Sequence, residues 1–171
     1  MHTRNAAYLR YTVLGLLVVL VYLFQVTPRL LPSIGGALPI PLVPLALTIA
    51  MREYEGAGAA FGLICGLLMD AASTSTMGFH AVLLLLLGFF SSLLVNSLFN
   101  DTLRTSFLLG AAGTAIYCVA HWAITCVLRG LPNAAGLLLH HYVPVFVYTM
   151  VFLIPLYYLT GWIERRMRAK E

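Results

Sequence analysis

The sequence predicts an all-α, polytopic membrane protein with six transmembrane helices and both termini on the cytoplasmic side. Three observations carry that prediction. Hydrophobic residues make up 61% of the 171 positions, against roughly 45–50% in ordinary soluble domains. Charged residues make up 9%, against about 25%, which is too few to cover a soluble surface of this size. The apolar residues fall into six runs, at 8–26, 37–51, 56–72, 79–99, 106–128 and 142–162. About 20 apolar residues in a helix cross ~30 Å of hydrocarbon. None of the runs alternates with period two, so a barrel is excluded. The abundance of apolar side chains excludes intrinsic disorder.

Run 8–26 follows a basic start, but its apolar stretch is too long for a cleaved leader. Pro28 also stands where a compact small-residue cleavage site would be needed. The connection 27–38 is mostly apolar (Leu30, Leu31, Ile34) and is expected in the outer interface. Run 37–51 is the shortest. Pro39, Pro41 and Pro44 remove helix donors near its start, so it is expected to cross as half extended segment and half helix. Run 79–99 carries Ser91, Ser92, Asn96 and Ser97, which can bond across helices. Run 142–162 contains Pro144 and Pro155, and Pro155 is expected to kink it. Tyr157, Tyr158 and Trp162 form an aromatic belt above the tail.

Loop charges fix the orientation. With the N-terminus inside, the cytoplasmic face receives Arg4, Arg10, Arg52, Arg104, Arg165, Arg166, Arg168 and Lys170. The outer face receives Arg29 and Arg129. That is a clear positive-inside bias. The formal charge of +4 is concentrated in the tail. Arg165, Arg166, Arg168 and Lys170 therefore read as a cytoplasmic anchor on anionic membrane lipid, and no nucleic-acid face is present. Cys65, Cys118 and Cys126 lie in apolar runs without metal or redox spacing, and read as small buried side chains.

The third run holds the most informative residues. Gly58, Gly62, Gly66 and Asp70 recur every four positions and form one stripe on a helix. Small residues at that spacing let another backbone approach closely. The stripe packs either against a neighbouring span or against the helix of a separate protein. Asp70 is the one acid deep in an apolar run, where a charge costs at least ~2.5–3.5 kcal/mol without a partner. Ser73, Thr74, Ser75 and Thr76 offer hydroxyls and N–H groups beside it, and Gly78 permits a sharp turn. Asp70 reads as a polar latch between spans three and four. The open alternatives are a partner contact or a site for an ion, proton or ligand.

His80, His140 and His141 are expected at the interface. His121 lies deeper, with a hydrogen bond to a neighbouring helix or a pairing with Asp70 as its two readings. No two histidines share an i, i+4 face, so no metal is expected. Two cytoplasmic stretches, Arg52-Glu53-Tyr54-Glu55 and Asn100-Asp101-x-x-Arg104, are candidates for contact with a filament. Asp70 has no second acid near it in sequence, so neither a catalytic pair nor a cofactor is indicated.

The pattern Gly62-x3-Gly66-x3-Asp70-x2-Ser73-x-Ser75-Thr76-x-Gly78, in a six-span chain of this length, closely resembles the MreD family of rod-shape-determining proteins. The chain departs at Thr74, where many members carry glycine. The resemblance implies a non-enzymatic inner-membrane scaffold of the bacterial elongasome (the Rod complex). Its partners would be MreC, through a transmembrane helix and the adjoining region, then MreB, RodA and its penicillin-binding protein. Pairing of two copies as a homodimer stays open. The family is distantly similar to the substrate-binding components (S-components) of energy-coupling-factor vitamin transporters. That similarity implies the fold, and it supplies a rival function: binding a small hydrophilic ligand from outside.

Overall fold

The computed structural model describes residues 2–27, 33, 37–73, 78–98, 102–130 and 133–168, and among them every regular element is helical. The long helices are α1 (His2–Val26), α3 (Glu55–Ala72), α4 (Phe79–Leu98), α5 (Leu103–Trp122) and α7 (Val143–Arg168). Two short ones accompany them, α2 (Leu42–Ala50) and α6 (Ala134–Leu137). α5 runs on into a wider π-helical turn at Ala123–Val127. A second π-turn, Leu138–Tyr142, joins α6 to α7. Five stretches are long and apolar enough to cross a membrane: Tyr8–Val26, Glu55–Ala72, Phe79–Ser97, Leu103–Val127 and Ala135–Met167.

The second expected run departs from a full transmembrane helix. Its helix is nine residues long, and rises only ~13 Å. The cause is the proline cluster: residues 38–40 are non-helical, and Pro41 stands at the N-cap of α2. Proline is tolerated in the first turn of a helix but not in its interior, and it pushes the residue before it out of the helical region, so Pro39 and Pro41 keep the helix from starting earlier.

α2 is the centre of the molecule. Every residue from Leu42 to Ala50 is buried, and α2 touches all five long helices. A helix apolar on every side needs such an enclosure. Lipid is as apolar as leucine, so burial alone does not drive this packing; close van der Waals contact and internal polar bonds do.

Two polar side chains solve the backbone problem at the non-helical entry to α2. Gln25 Oε1 accepts from the Leu42 N–H at 3.1 Å, and Thr149 Oγ1 accepts from the Ile40 N–H at 3.0 Å. Non-helical backbone at membrane depth is tolerated only when its donors are satisfied inside the protein. One end of the bundle gathers Gln25, Asp70, His80, His121 and Tyr142; the other gathers Arg10, Arg52, Glu53, Asn96 and Glu164. Residues 38–53 carry the chain from the first end to the second.

Candidate functional site

The glycine stripe faces α4. A methyl at Gly62 would overlap the Leu84 carbonyl, and one at Gly66 would overlap Ala81 Cα and the His80 carbonyl. At Gly58 it would stand 3.0 Å from Ser92 Cβ and 3.1 Å from the Gly88 carbonyl oxygen. α4 answers with its own Gly88, which lies against the Gly58 backbone. Of the two surfaces the stripe could meet, the chain itself supplies one. A separate protein's helix would have to displace α4 to reach the same atoms.

At the end of the stripe, Asp70 is 8% exposed. Its Oδ1 accepts from the His80 N–H at 3.2 Å and its Oδ2 from the Ala81 N–H at 2.9 Å. These are orphan donors of the first turn of α4. A carboxylate at its own helix's C-terminus opposes that helix's dipole; here the N-terminus of α4 compensates. The latch thus joins α3 to α4, through donors in the first turn of α4. Ser73 is the C-cap of α3, and its N–H donates to the Asp70 carbonyl at 3.1 Å. Thr74, Ser75 and Thr76 lie outside the described residues. Gly78 has φ +83°, a left-handed conformation that glycine adopts without strain.

Of the two readings of His121, the structure shows the hydrogen bond to a neighbouring segment, not a bond to Asp70. His121 Nδ1 lies 2.9 Å from the Tyr142 hydroxyl, which also meets Thr125 Oγ1 at 2.9 Å. His80, expected at the interface, is 4% exposed, and its Nδ1 shares a 3.0 Å hydrogen bond with the Tyr117 hydroxyl. It is drawn inward because its own N–H is held by Asp70. The His80 and His121 rings stack at 5.4 Å between centroids and 16° between planes. Tyr117 stacks on His121 at 6.1 Å and 17°. His140 and His141 are exposed.

Beside this aromatic column lies a cavity of about 340 Å³. Tyr117, His121, His141, Tyr142 and Gln25 supply its polar lining, and Pro39 and Ile40 part of its apolar wall. The π-turn Leu138–Tyr142 borders it through His141 and Tyr142. π-turns are frequent at functional sites because they re-aim side chains that a regular helix would turn away. No group of three metal-ligating side chains occurs among the described residues.

The opposite end holds a second polar centre. Arg10 Nη2 lies 3.2 Å from Glu53 Oε2, with side chains 8% and 3% exposed. The Tyr11 hydroxyl donates to the same oxygen at 3.4 Å. The Glu53 carbonyl accepts from Ser92 Oγ and from Asn96 Nδ2. Arg52 Nη1 meets Glu164 Oε2 at 3.0 Å, and its guanidinium lies 4.4 Å over the Tyr157 ring. Arg52 and Glu53, which the sequence offers as candidates for filament contact, are engaged inside the bundle. Helical periodicity does not report ion pairs between distant segments, which is why these were missed. Gln25, alone and polar in an apolar run, was the one available signal for the entry to α2.

Of the cationic tail, Arg165 Nε donates to the Gly161 carbonyl at 3.2 Å, and Arg166 stands 5.2 Å over the Trp162 ring. Arg168 is the last residue of α7, and Lys170 lies outside the described residues. Cys65, Cys118 and Cys126 are free and buried.

No known protein family, curated protein or solved structure matches this chain.

Proposed function

We propose that this chain is a non-enzymatic membrane scaffold of the MreD type, which binds MreC and helps couple MreB filaments to RodA and its penicillin-binding protein. The observation that supports this reading is the engagement of the acids. All four described carboxylates are held by structural partners: Glu53 by Arg10, Glu55 by Asn96, Asp70 by the α4 N-terminus and Glu164 by Arg52. A general acid or base needs a carboxyl group within reach of substrate. Here each one joins helices instead.

In this reading the chain crosses the inner membrane six times, with the arginine-rich end in the cytoplasm. The second crossing uses the non-helical residues 37–40 and the short α2. Extended chain covers ~3.3 Å per residue and helix ~1.5 Å, so residues 37–51 reach roughly 30 Å, about one hydrocarbon thickness. Because α4 covers the glycine stripe, the MreC helix docks on a lipid-facing surface elsewhere on the bundle. Co-expression with MreC from the same host, followed by size exclusion in mild detergent, tests the partnership. The two chains are expected to comigrate, and to separate when MreC lacks its transmembrane helix. Separate migration of full-length MreC overturns the reading.

One observation favours a second reading, a substrate-binding component of a small-molecule transporter with the S-component fold. The cavity brings five polar side chains to one place, and convergent polar groups are the mark of a ligand site. A vitamin-like ligand that raises the melting temperature of the purified protein, with loss of the effect in His121→Ala, supports it.

A further inference from the structure

We infer that the groove between the first two turns of α5 and the facing side of α7 holds one acyl chain of an anionic phospholipid, with Arg104 on its phosphate. The groove is lined by Leu103, Arg104, Phe107 and Leu108 of α5 and by Ile154 of α7, and has a volume of about 430 Å³. Its shape follows from where the two helices meet. They converge at Gly110, where a methyl would overlap Leu153 Cδ1. From that contact toward the arginine-rich end they leave space between them, and Leu108 there is 70% exposed.

Charge decides the occupant. Four other arginines at that end have protein partners: Arg10 has Glu53, Arg52 has Glu164, Arg165 has the Gly161 carbonyl and Arg166 has the Trp162 ring. No described residue pairs with Arg104, which is exposed at the mouth of the groove. Every other lining side chain is apolar. A guanidinium at the mouth of an apolar channel complements a phosphate followed by an acyl chain. The lining spans two turns of α5 and a single residue of α7, a footprint suited to an acyl chain rather than to a partner helix ~10 Å across with its side chains. The inference rests on the chain lying in a membrane and is independent of whether MreC binds it.

The test uses the full chain purified in mild detergent and native mass spectrometry. Phosphatidylglycerol and phosphatidylcholine with the same acyl chains are added separately. The wild type is expected to retain phosphatidylglycerol about fivefold more than phosphatidylcholine, which corresponds to ~1 kcal/mol for one basic residue at an anionic headgroup. Arg104→Gln removes that preference, and Arg166→Gln keeps it. Ile154→Trp fills the groove and lowers retention of both lipids; Leu108→Trp does the same from the other wall should the first variant fold poorly. Unchanged preference in Arg104→Gln overturns the inference. So does undiminished retention in a folded tryptophan variant, or a dimer mass without lipid that either tryptophan abolishes.

Discussion

Asp70 shows how one buried carboxylate can hold two helices. Its two oxygens take two N–H groups that α4 has no other means of satisfying in lipid. Asp70→Ala is expected to leave both unsatisfied, at a cost of ~1–3 kcal/mol. Thermal unfolding in detergent should show a melting point lower by roughly 5 °C. Asp70→Asn, which keeps one acceptor, should fall between alanine and wild type. At the same scale, Glu53→Gln leaves the Arg10 guanidinium facing a neutral amide. Breaking a buried pair from one side costs about 3–5 kcal/mol, whereas replacing both partners with apolar residues costs less. The single variant should therefore melt below the double variant Arg10→Met, Glu53→Leu. The opposite order would show that the pair does not hold α1 to the α2–α3 connection.

Among the elements, the α3–α4 hairpin is the most tightly specified. Gly62→Leu forces a side chain into the Leu84 carbonyl, and overpacking of this kind costs at least ~1–3 kcal/mol. Little folded protein should be recovered by size exclusion. Ile64→Leu, on the exposed face of the same helix, should be recovered normally. The entry to α2 makes a different demand. Thr149→Val removes the acceptor of the Ile40 N–H, so hydrogen exchange should accelerate at residue 40 and remain slow within α3. Much of this was legible in the sequence. Hydropathy places α3, α4, α5 and α7 within a few residues of their observed starts, whereas α1 begins earlier, at His2. The three prolines mark where helix fails in the second run. The four-residue spacing identifies the stripe, and the isolated acid identifies Asp70 as a latch. The rest depends on three-dimensional pairing. Glu53 looks like a loop acid until α1 brings Arg10 beside it, and His121 of α5 meets Tyr142, which the second π-turn carries. A one-dimensional pattern carries no information about either meeting.

The whole molecule is a short apolar helix enclosed by five long ones, closed at one end by the Asp70–aromatic column and at the other by two ion pairs. The scaffold function remains a proposal, resting on the resemblance to MreD and on the structural engagement of the described acids. The measurement that tests it most directly is an unbiased pull-down of the tagged chain from the membranes of its own host, with co-purifying proteins quantified by mass spectrometry. The account predicts MreC in near-equal amount, accompanied by other elongasome members. Recovery of an ATPase pair with a coupling membrane subunit, and no MreC, would contradict it and transfer the function to the cavity beside His121.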